Sequence, residues 1–306
     1  QSPEQLAGKD ALAASDVFSL GLSFYEFLTG VHPFHNEDAS KVLEDIQSLN
    51  ERALAGELEI TAISAHAYPF VASKYWVMRT GVSMGDGYGP LVVTTKPGTL
   101  ASLRGARIAV PGMMTTAMLA LKLFLPEFRP LPVRFDEIPE AVRTGKADAG
   151  ILIHEGQLTY EADGLVKVAD LGVLWKEKTG LPLPLGLDVV RRDLGPDLAT
   201  ACSTALRRSI EYARAHADAA MAYALEYGRG LTTELGERFV GMYVNDWTLD
   251  MGETGRRALV TLLDAAADAI DLDWKARRAL APGVSTKQID HLGKIAREAG
   301  ARAMKV

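Results

Sequence analysis

The stretch VRFDEIPEAVRTGKADAGILIHE, residues 133–155, decides the fold class, because it holds a complete strand–helix–strand unit. Its first residues, VRF, predict a strand, and the segment after them has apolar residues at helical spacing and a helix-ending glycine, Gly145. The continuous apolar run from Ala149 to Ile153 predicts a strand that is buried on both faces. Strands that alternate with helices in this way indicate an α/β protein.

Similar units occur on both sides of this stretch. Residues 107–110 predict a strand, followed by a Pro-Gly turn and a helix that opens at Thr115 or Thr116. Upstream, ASKVLEDIQSLNERALAG predicts a helix with Gly56 as its C-cap, and the segments LEITAIS, YWVMRTG and GPLVVTTK predict strands. The glycine-rich segment GVSMGDGYG predicts a tight turn, and the chain after about residue 190 is predicted to be mostly helical.

Two segments rich in proline and glycine, TTKPGTLASLRG and TGLPLPLGLDVV, bracket the central units. They predict two lobes, of which residues 99–183 form the inserted one. Residues 1–98 and 184–306 form the other, discontinuous lobe. Two chain crossings between lobes make a hinge and a cleft, where a small ligand commonly binds.

The composition favours a small-molecule partner. The chain has 306 residues, 48% of them hydrophobic and 24% charged, and a net charge of −6 that argues against binding to nucleic acid or an anionic membrane. No apolar run approaches the roughly 18 residues of a membrane helix, and QSPEQLAGKD has no export-signal pattern, so we expect a cytoplasmic location. The single cysteine, Cys202, is expected in the core, and no metal-ligand spacing occurs, so neither metal nor cofactor is expected.

Four residues are candidates for chemistry. His154 ends the most apolar strand, where ligands of open α/β sheets gather, and is either a general base or a structural histidine bound to a carbonyl. Thr115 and Thr116 open a helix and either bind an anion or cap the helix without a ligand. His66 follows a strand, and a structural role is favoured for it.

Several segments, in order, resemble the 1,4-dihydroxy-6-naphthoate synthase family of the futalosine route to menaquinone. They include ELEITAISAHAYP, RIAVPGMMTTAMLAL, ADAGILIHEGQLTY and YVNDWTLDMGETGRRAL, within residues 40–265. The resemblance implies a fold like that of type II periplasmic binding proteins. It implies a carbon–carbon lyase that cleaves cyclic dehypoxanthinyl futalosine to 1,4-dihydroxy-6-naphthoate, with His154 as general base and without metal or cofactor. The substrate carries a carboxylate, and the residues that would contact it are Ile63, Ser64, Ala65, Thr115 and Thr116.

Both ends of the chain depart from this family. Residues 2–34 resemble the end of a bacterial Ser/Thr kinase activation segment, and residues 280–302 resemble the first helix of a methionine aminopeptidase. The family's first loop, of Cys-Pro-Asn-Asp type, has no counterpart, so a non-catalytic two-lobed protein that binds a carboxylate-bearing small molecule is the alternative function. For FSLGLS, residues 18–23, we expect a strand drawn into the sheet, and the alternative is a continuous helix over residues 17–23 outside the sheet.

Overall fold

The structure is a computed structural model that describes residues 45–225 and 232–278. The described strands are β1 (Ile60–Ser64), β2 (Tyr75–Val77), β3 (Ser83–Gly85), β4 (Leu91–Thr94), β5 (Arg107–Val110), β6 (Arg129–Pro132), β7 (Ala149–Leu152), β8 (Val166–Asp170) and β9 (Leu183–Arg191). The described α-helices are α1 (Ile46–Ala55), α2 (Tyr68–Val71), α3 (Thr116–Phe124), α4 (Ile138–Arg143), α5 (Gly156–Thr159), α6 (Leu171–Thr179), α7 (Gly195–Ala215), α8 (Ala217–Leu225), α9 (Thr233–Tyr243), α10 (Asp246–Leu249) and α11 (Gly252–Arg278).

The first sheet is built around β9, which pairs antiparallel with β1, β2 and β3. The long strand can serve three partners because β1 covers one of its edges, while β2 and β3 share the other. The prediction of a tight turn over GVSMGDGYG was incomplete. Gly81 and Gly87 do have positive φ, but residues 83–85 between them form β3. This three-residue strand exists only through its pairing with β9, about a hundred residues away in sequence.

The second sheet has the order β6-β5-β7-β4-β8, with β6, β5 and β7 parallel and β4 antiparallel to both of its neighbours. The prediction of a strand over VRF was wrong, because β6 lies a few residues earlier and ends at Pro132. Pro130 and Pro132 have no backbone N–H to donate within a sheet. Proline is tolerated at a sheet edge, and here the backbone N–H groups of Arg129 and Val133, on either side of the prolines, donate to Ala106 O and Val110 O.

The core covers both faces of the second sheet. Val92, Ile108 and Ile151 are fully buried on the face that α3 and α6 cover, and they join the main apolar cluster. Val93 and Ala109 point to the opposite face, where α4 packs. Burial on two sides explains why β7 has a continuous apolar sequence instead of an alternating one.

The chain crosses between the sheets twice, and the two crossings touch. Gly89 precedes β4, and Gly172 is the second residue of α6. The backbone N–H of Leu171 donates a hydrogen bond to Pro90 O. A Cβ atom at Gly172 would lie 1.9 Å from the carbonyl oxygen of Tyr88, so no larger residue fits there. The absence of a side chain at Gly172 therefore allows the two crossing segments to pack this closely.

The remaining sequence predictions have mixed outcomes. The strand over residues 107–110, the helix predicted to open at Thr115 or Thr116, and the Gly56 C-cap are confirmed. The helix begins at Thr116, and Thr115 is its N-cap. The lobe boundaries at residues 99 and 183 stay a prediction; β4, which precedes residue 99, pairs within the second sheet. Cys202 is buried as expected. The predictions for residues 2–34, including the strand over 18–23, and for residues 280–302 lie outside the described residues. None of the helices described is long and apolar enough to span a membrane.

Candidate active site

A cavity of about 350 Å³ lies between the two sheets. The first sheet contributes a wall from β1, β3 and β9, and the opposite wall contains the N-terminus of α3 and the turn that follows β7. Phe239 and Tyr243 of α9 close one side. A second groove, of about 430 Å³, lies beneath α7, and two of its lining residues, Arg79 and Arg207, pair with Asp250. Of the predicted site residues, the first cavity is lined by His154, Thr115, Thr116 and Ser64.

His154 lines this cavity two residues after β7 ends. Its φ of 53° makes it the only non-glycine residue with positive φ among the described residues. Such a conformation costs about 1–3 kcal/mol and persists only where the surroundings hold it. The Phe135 ring packs edge-on against the imidazole, with the ring centroids 4.9 Å apart. The strand-tip position predicted for His154 is therefore present, and its backbone is held in a strained turn.

Gln157 ties this turn to two other elements. Its backbone N–H donates to the His154 carbonyl at 3.2 Å. With the side-chain amide oriented to satisfy all its neighbours, the nitrogen donates to Gly89 O at 2.7 Å, and the oxygen accepts from the Tyr243 hydroxyl at 2.6 Å and from His154 N at 3.3 Å. Burial raises the pKa of Tyr243, so its hydroxyl stays protonated as a donor. No pattern in the sequence indicated this network.

Thr115 and Thr116 both line the cavity, but each hydroxyl already has hydrogen-bond partners within the chain. Thr115 Oγ1 accepts from Met118 N and donates to Gly112 O at 2.8 Å. Thr116 Oγ1 donates to Leu185 O at 2.7 Å and accepts from His66 N at 3.3 Å. What α3 offers a ligand is the N–H groups of its first turn, which have no intrahelical acceptor.

The three predicted contact residues at the end of β1 divide between cavity and core. Ser64 lines the cavity, whereas the side chains of Ile63 and Ala65 are fully buried in the main apolar cluster. Alternation along the strand places Ile63 on the opposite face from Ser64. The buried Asn50 side chain accepts from Ser64 N at 2.8 Å and donates to Ser64 Oγ at 3.1 Å. Ser64 can still donate its own hydroxyl proton toward a ligand.

His66 is a structural histidine, as its position predicted. Its Nδ1 lies 3.2 Å from Thr115 O, which it can reach only as a donor. Burial, opposed by this hydrogen bond and reinforced by the charge of Lys122, lowers the pKa of His66 to about 4. The ring is therefore neutral at physiological pH and connects the end of β1 to the start of α3.

Two polar residues on the first-sheet wall, Asp188 of β9 and Ser83 of β3, were not among the predicted site residues. Burial raises the pKa of the Asp188 carboxyl from its ordinary 3.8 to about 7. The available signal was a lone carboxylate inside the apolar run PLGLDVV. Within residues 45–225 and 232–278, no group of three His, Cys, Asp or Glu side chains could hold a metal ion.

Comparison with known proteins identifies the family. A model of the menaquinone biosynthesis family matches residues 18–268. The 1,4-dihydroxy-6-naphthoate synthase of Thermus thermophilus is 46% identical over 225 residues, which cover 74% of this chain and 82% of that protein. The chain belongs to the menaquinone biosynthesis family. The resemblance seen in the sequence is thereby confirmed, and the matched range extends beyond residues 40–265 at both ends.

Solved structures confirm the fold. A protein of Archaeoglobus fulgidus is 45% identical, with a TM-score of 0.72 over 83% of this chain and 93% of that one. A Candida albicans protein that has the generic periplasmic binding protein fold aligns with a TM-score of 0.53 at 12% identity, over 83% of this chain and 82% of that one. This member of the menaquinone biosynthesis family therefore has the periplasmic-binding-protein-like α/β fold that the sequence implied.

Proposed function

We propose that the chain is a 1,4-dihydroxy-6-naphthoate synthase. It cleaves cyclic dehypoxanthinyl futalosine in the cavity between the sheets, as a carbon–carbon lyase, with His154 as general base. The observation that carries the proposal is the position of His154. Its backbone forms a strained turn, and its side chain lines a cavity large enough for a small-molecule ligand. Cavities of about 300–1,000 Å³ are usual for small-molecule ligands, and this one has about 350 Å³.

His154 is suited to proton transfer because imidazole titrates near neutral pH. A base must reach the proton that it removes to about 3 Å, directly or through one water. The hydrogen bonds of Gln157 to the backbone on both sides of the His154 Cα limit how far the ring can move. A strained but anchored backbone fits a residue that must hold one orientation during catalysis.

The rest of the cavity suits an aromatic carboxylate. Apolar residues that could contact a flat ring also line it, among them Ile153, Leu185 and Phe239. No lysine or arginine is found among the described residues that line it. The ligand carboxylate would therefore bind at the start of α3, where the N–H groups of Thr116 and Ala117 and the helix dipole favour an anion. A carboxylate-bearing ligand and a cytoplasmic location, as expected for a biosynthetic step, belong to this proposal.

The test is conversion of cyclic dehypoxanthinyl futalosine by the purified chain. Formation of 1,4-dihydroxy-6-naphthoate is followed by its absorbance and identified by mass spectrometry. His154→Asn should lower conversion, because it removes the general base. His216→Asn, which removes an exposed imidazole at the end of α7, is the matched control and should convert the substrate as the wild type does. Binding of the substrate without conversion would contradict the proposal and would support the non-catalytic binding protein instead.

A further inference from the structure

Asp188 and Ser83 lie on the same face of the first sheet. In the antiparallel register, Gly186 of β9 is opposite Ser64 on one side and Ser83 on the other, and Asp188 is opposite Ala62. Residues two apart on a strand share a face, so all five positions face the cavity. Because Gly186 has no side chain, it leaves space on this cavity wall between the side chains of Ser64, Ser83 and Asp188.

Neither polar group has a partner within the described chain. The Ser83 hydroxyl oxygen is buried without a hydrogen bond. The Asp188 side chain makes no hydrogen bond or ion pair with a described residue, and the only cause of its raised pKa is burial. Its carboxyl packs against Gly81, where a Cβ atom would lie 1.9 Å from Oδ2. Two polar groups without partners on one cavity wall lower stability unless a ligand binds to them.

The surroundings decide which ligand atom they can bind. The titratable side chains that line the cavity are Asp188, His154 and Tyr243, and β1 and β3 add only small neutral residues there. With no cation on this wall, a ligand carboxylate would be repelled by an ionised Asp188. A neutral carboxyl and a hydroxyl can instead donate hydrogen bonds to an uncharged oxygen.

We propose that Asp188, assisted by Ser83, binds a hydroxyl or carbonyl oxygen of the ligand and selects oxygenated over plain aromatic carboxylates. The assignment rests on the proposed function, because it takes the naphthoate ligand from it. It orients the ligand, since the carboxylate would lie at the start of α3 and the ring oxygens would face β9. Asp188 is thus a specificity residue, on the first-sheet wall of the cavity.

The test compares two probes that differ only in the ring oxygens, 1,4-dihydroxy-6-naphthoate and 2-naphthoate. Dissociation constants are measured by calorimetry for the wild type, Asp188→Asn and Asp188→Leu. The wild type should bind the dihydroxy probe about 10-fold or more tightly than 2-naphthoate, the difference expected for one or two hydrogen bonds to otherwise unpaired groups. The leucine variant should lose this preference, and the asparagine variant, which can still donate and accept, should keep most of it.

Controls separate this inference from folding and from the proposed function. Asp197→Asn removes an exposed carboxylate from α7 and should leave both dissociation constants unchanged. Circular dichroism and urea unfolding check that each variant folds. If Asp188→Leu retains the wild-type preference, the assignment is wrong while the function stands. If the wild type neither converts the substrate nor binds the dihydroxy probe, the proposed function and the assignment fail together.

Discussion

Asp188→Asn should stabilise the protein, by an amount that grows with pH. Burial raises the folded-state pKa of this carboxyl to about 7, against an ordinary value of 3.8. Below about pH 4 the carboxyl is protonated in both states and contributes nothing. Between about pH 4 and pH 7 the unfolded chain releases the proton while the folded chain keeps it, so the wild type loses stability as pH rises. Above about pH 7 the loss is complete.

The size of the effect follows from the same two values. At 1.36 kcal/mol per pH unit, a rise from 3.8 to about 7 corresponds to about 4 kcal/mol, an upper limit because the cavity admits water. The asparagine side chain carries no charge at any of these pH values, so the stability difference between variant and wild type should widen by about 2–4 kcal/mol from pH 4 to pH 8. Urea unfolding at each pH measures it, with Asp197→Asn as the control for removing a carboxylate. A difference that stays constant across this range would refute the reasoning, since Asp188 would then have a partner that stabilises its charge.

Three further substitutions test the scaffold of the site. Thr116→Val removes a hydroxyl that has two internal partners and should lower the free energy of unfolding by about 2–5 kcal/mol in urea, whereas Thr116→Ser, which keeps the hydroxyl, should lower it by less than about 1 kcal/mol. Gly172→Ala would bring its Cβ to 1.9 Å from the Tyr88 carbonyl oxygen and should lower the free energy of unfolding in urea by more than about 2 kcal/mol. Gly156→Ala is the matched control, because its Cβ would lie 3.7 Å from the nearest atom. Tyr243→Phe removes the hydroxyl that donates to the Gln157 side-chain amide and so orients the His154 turn. Steady-state kinetics should show kcat lowered about 10-fold with little change in KM. A fall in kcat with an equal rise in KM would instead mean that the hydroxyl contacts the substrate.

Local signals in the sequence were enough to predict three of the five strands of the second sheet, β4, β5 and β7. The Pro-Gly turn and paired threonines defined the start of α3, and the uninterrupted apolar residues of β7 defined a strand with two buried faces. The misses have tertiary causes. β3 is three residues long and forms only against the distant β9, and β6 is a strand despite its prolines because it lies at an edge.

Sequence reasoning could find candidate site residues only where the neighbouring sequence marked them. His154 ended an apolar strand and could be found from its neighbours in sequence. Asp188, Ser83, Gln157 and Tyr243 reach the cavity from separate elements, so only the folded chain brings them together. Thr115 and Thr116 were predicted to contact the ligand, but their hydroxyls already bond to groups within the chain. The sequence could not reveal those bonds, because they depend on the folded structure.

The most direct test of the account is the rate of His154→Asn at saturating cyclic dehypoxanthinyl futalosine, measured beside its dissociation constant for 1,4-dihydroxy-6-naphthoate. Asparagine suits this position because, among residues with a side chain, it tolerates the positive φ of 53° best. Loss of the general base should lower kcat by about 10²–10⁴ while the dissociation constant stays within about 3-fold of the wild type. A variant that turns over as fast as the wild type would contradict the central claim, because the imidazole at the tip of β7 would then have no part in the reaction.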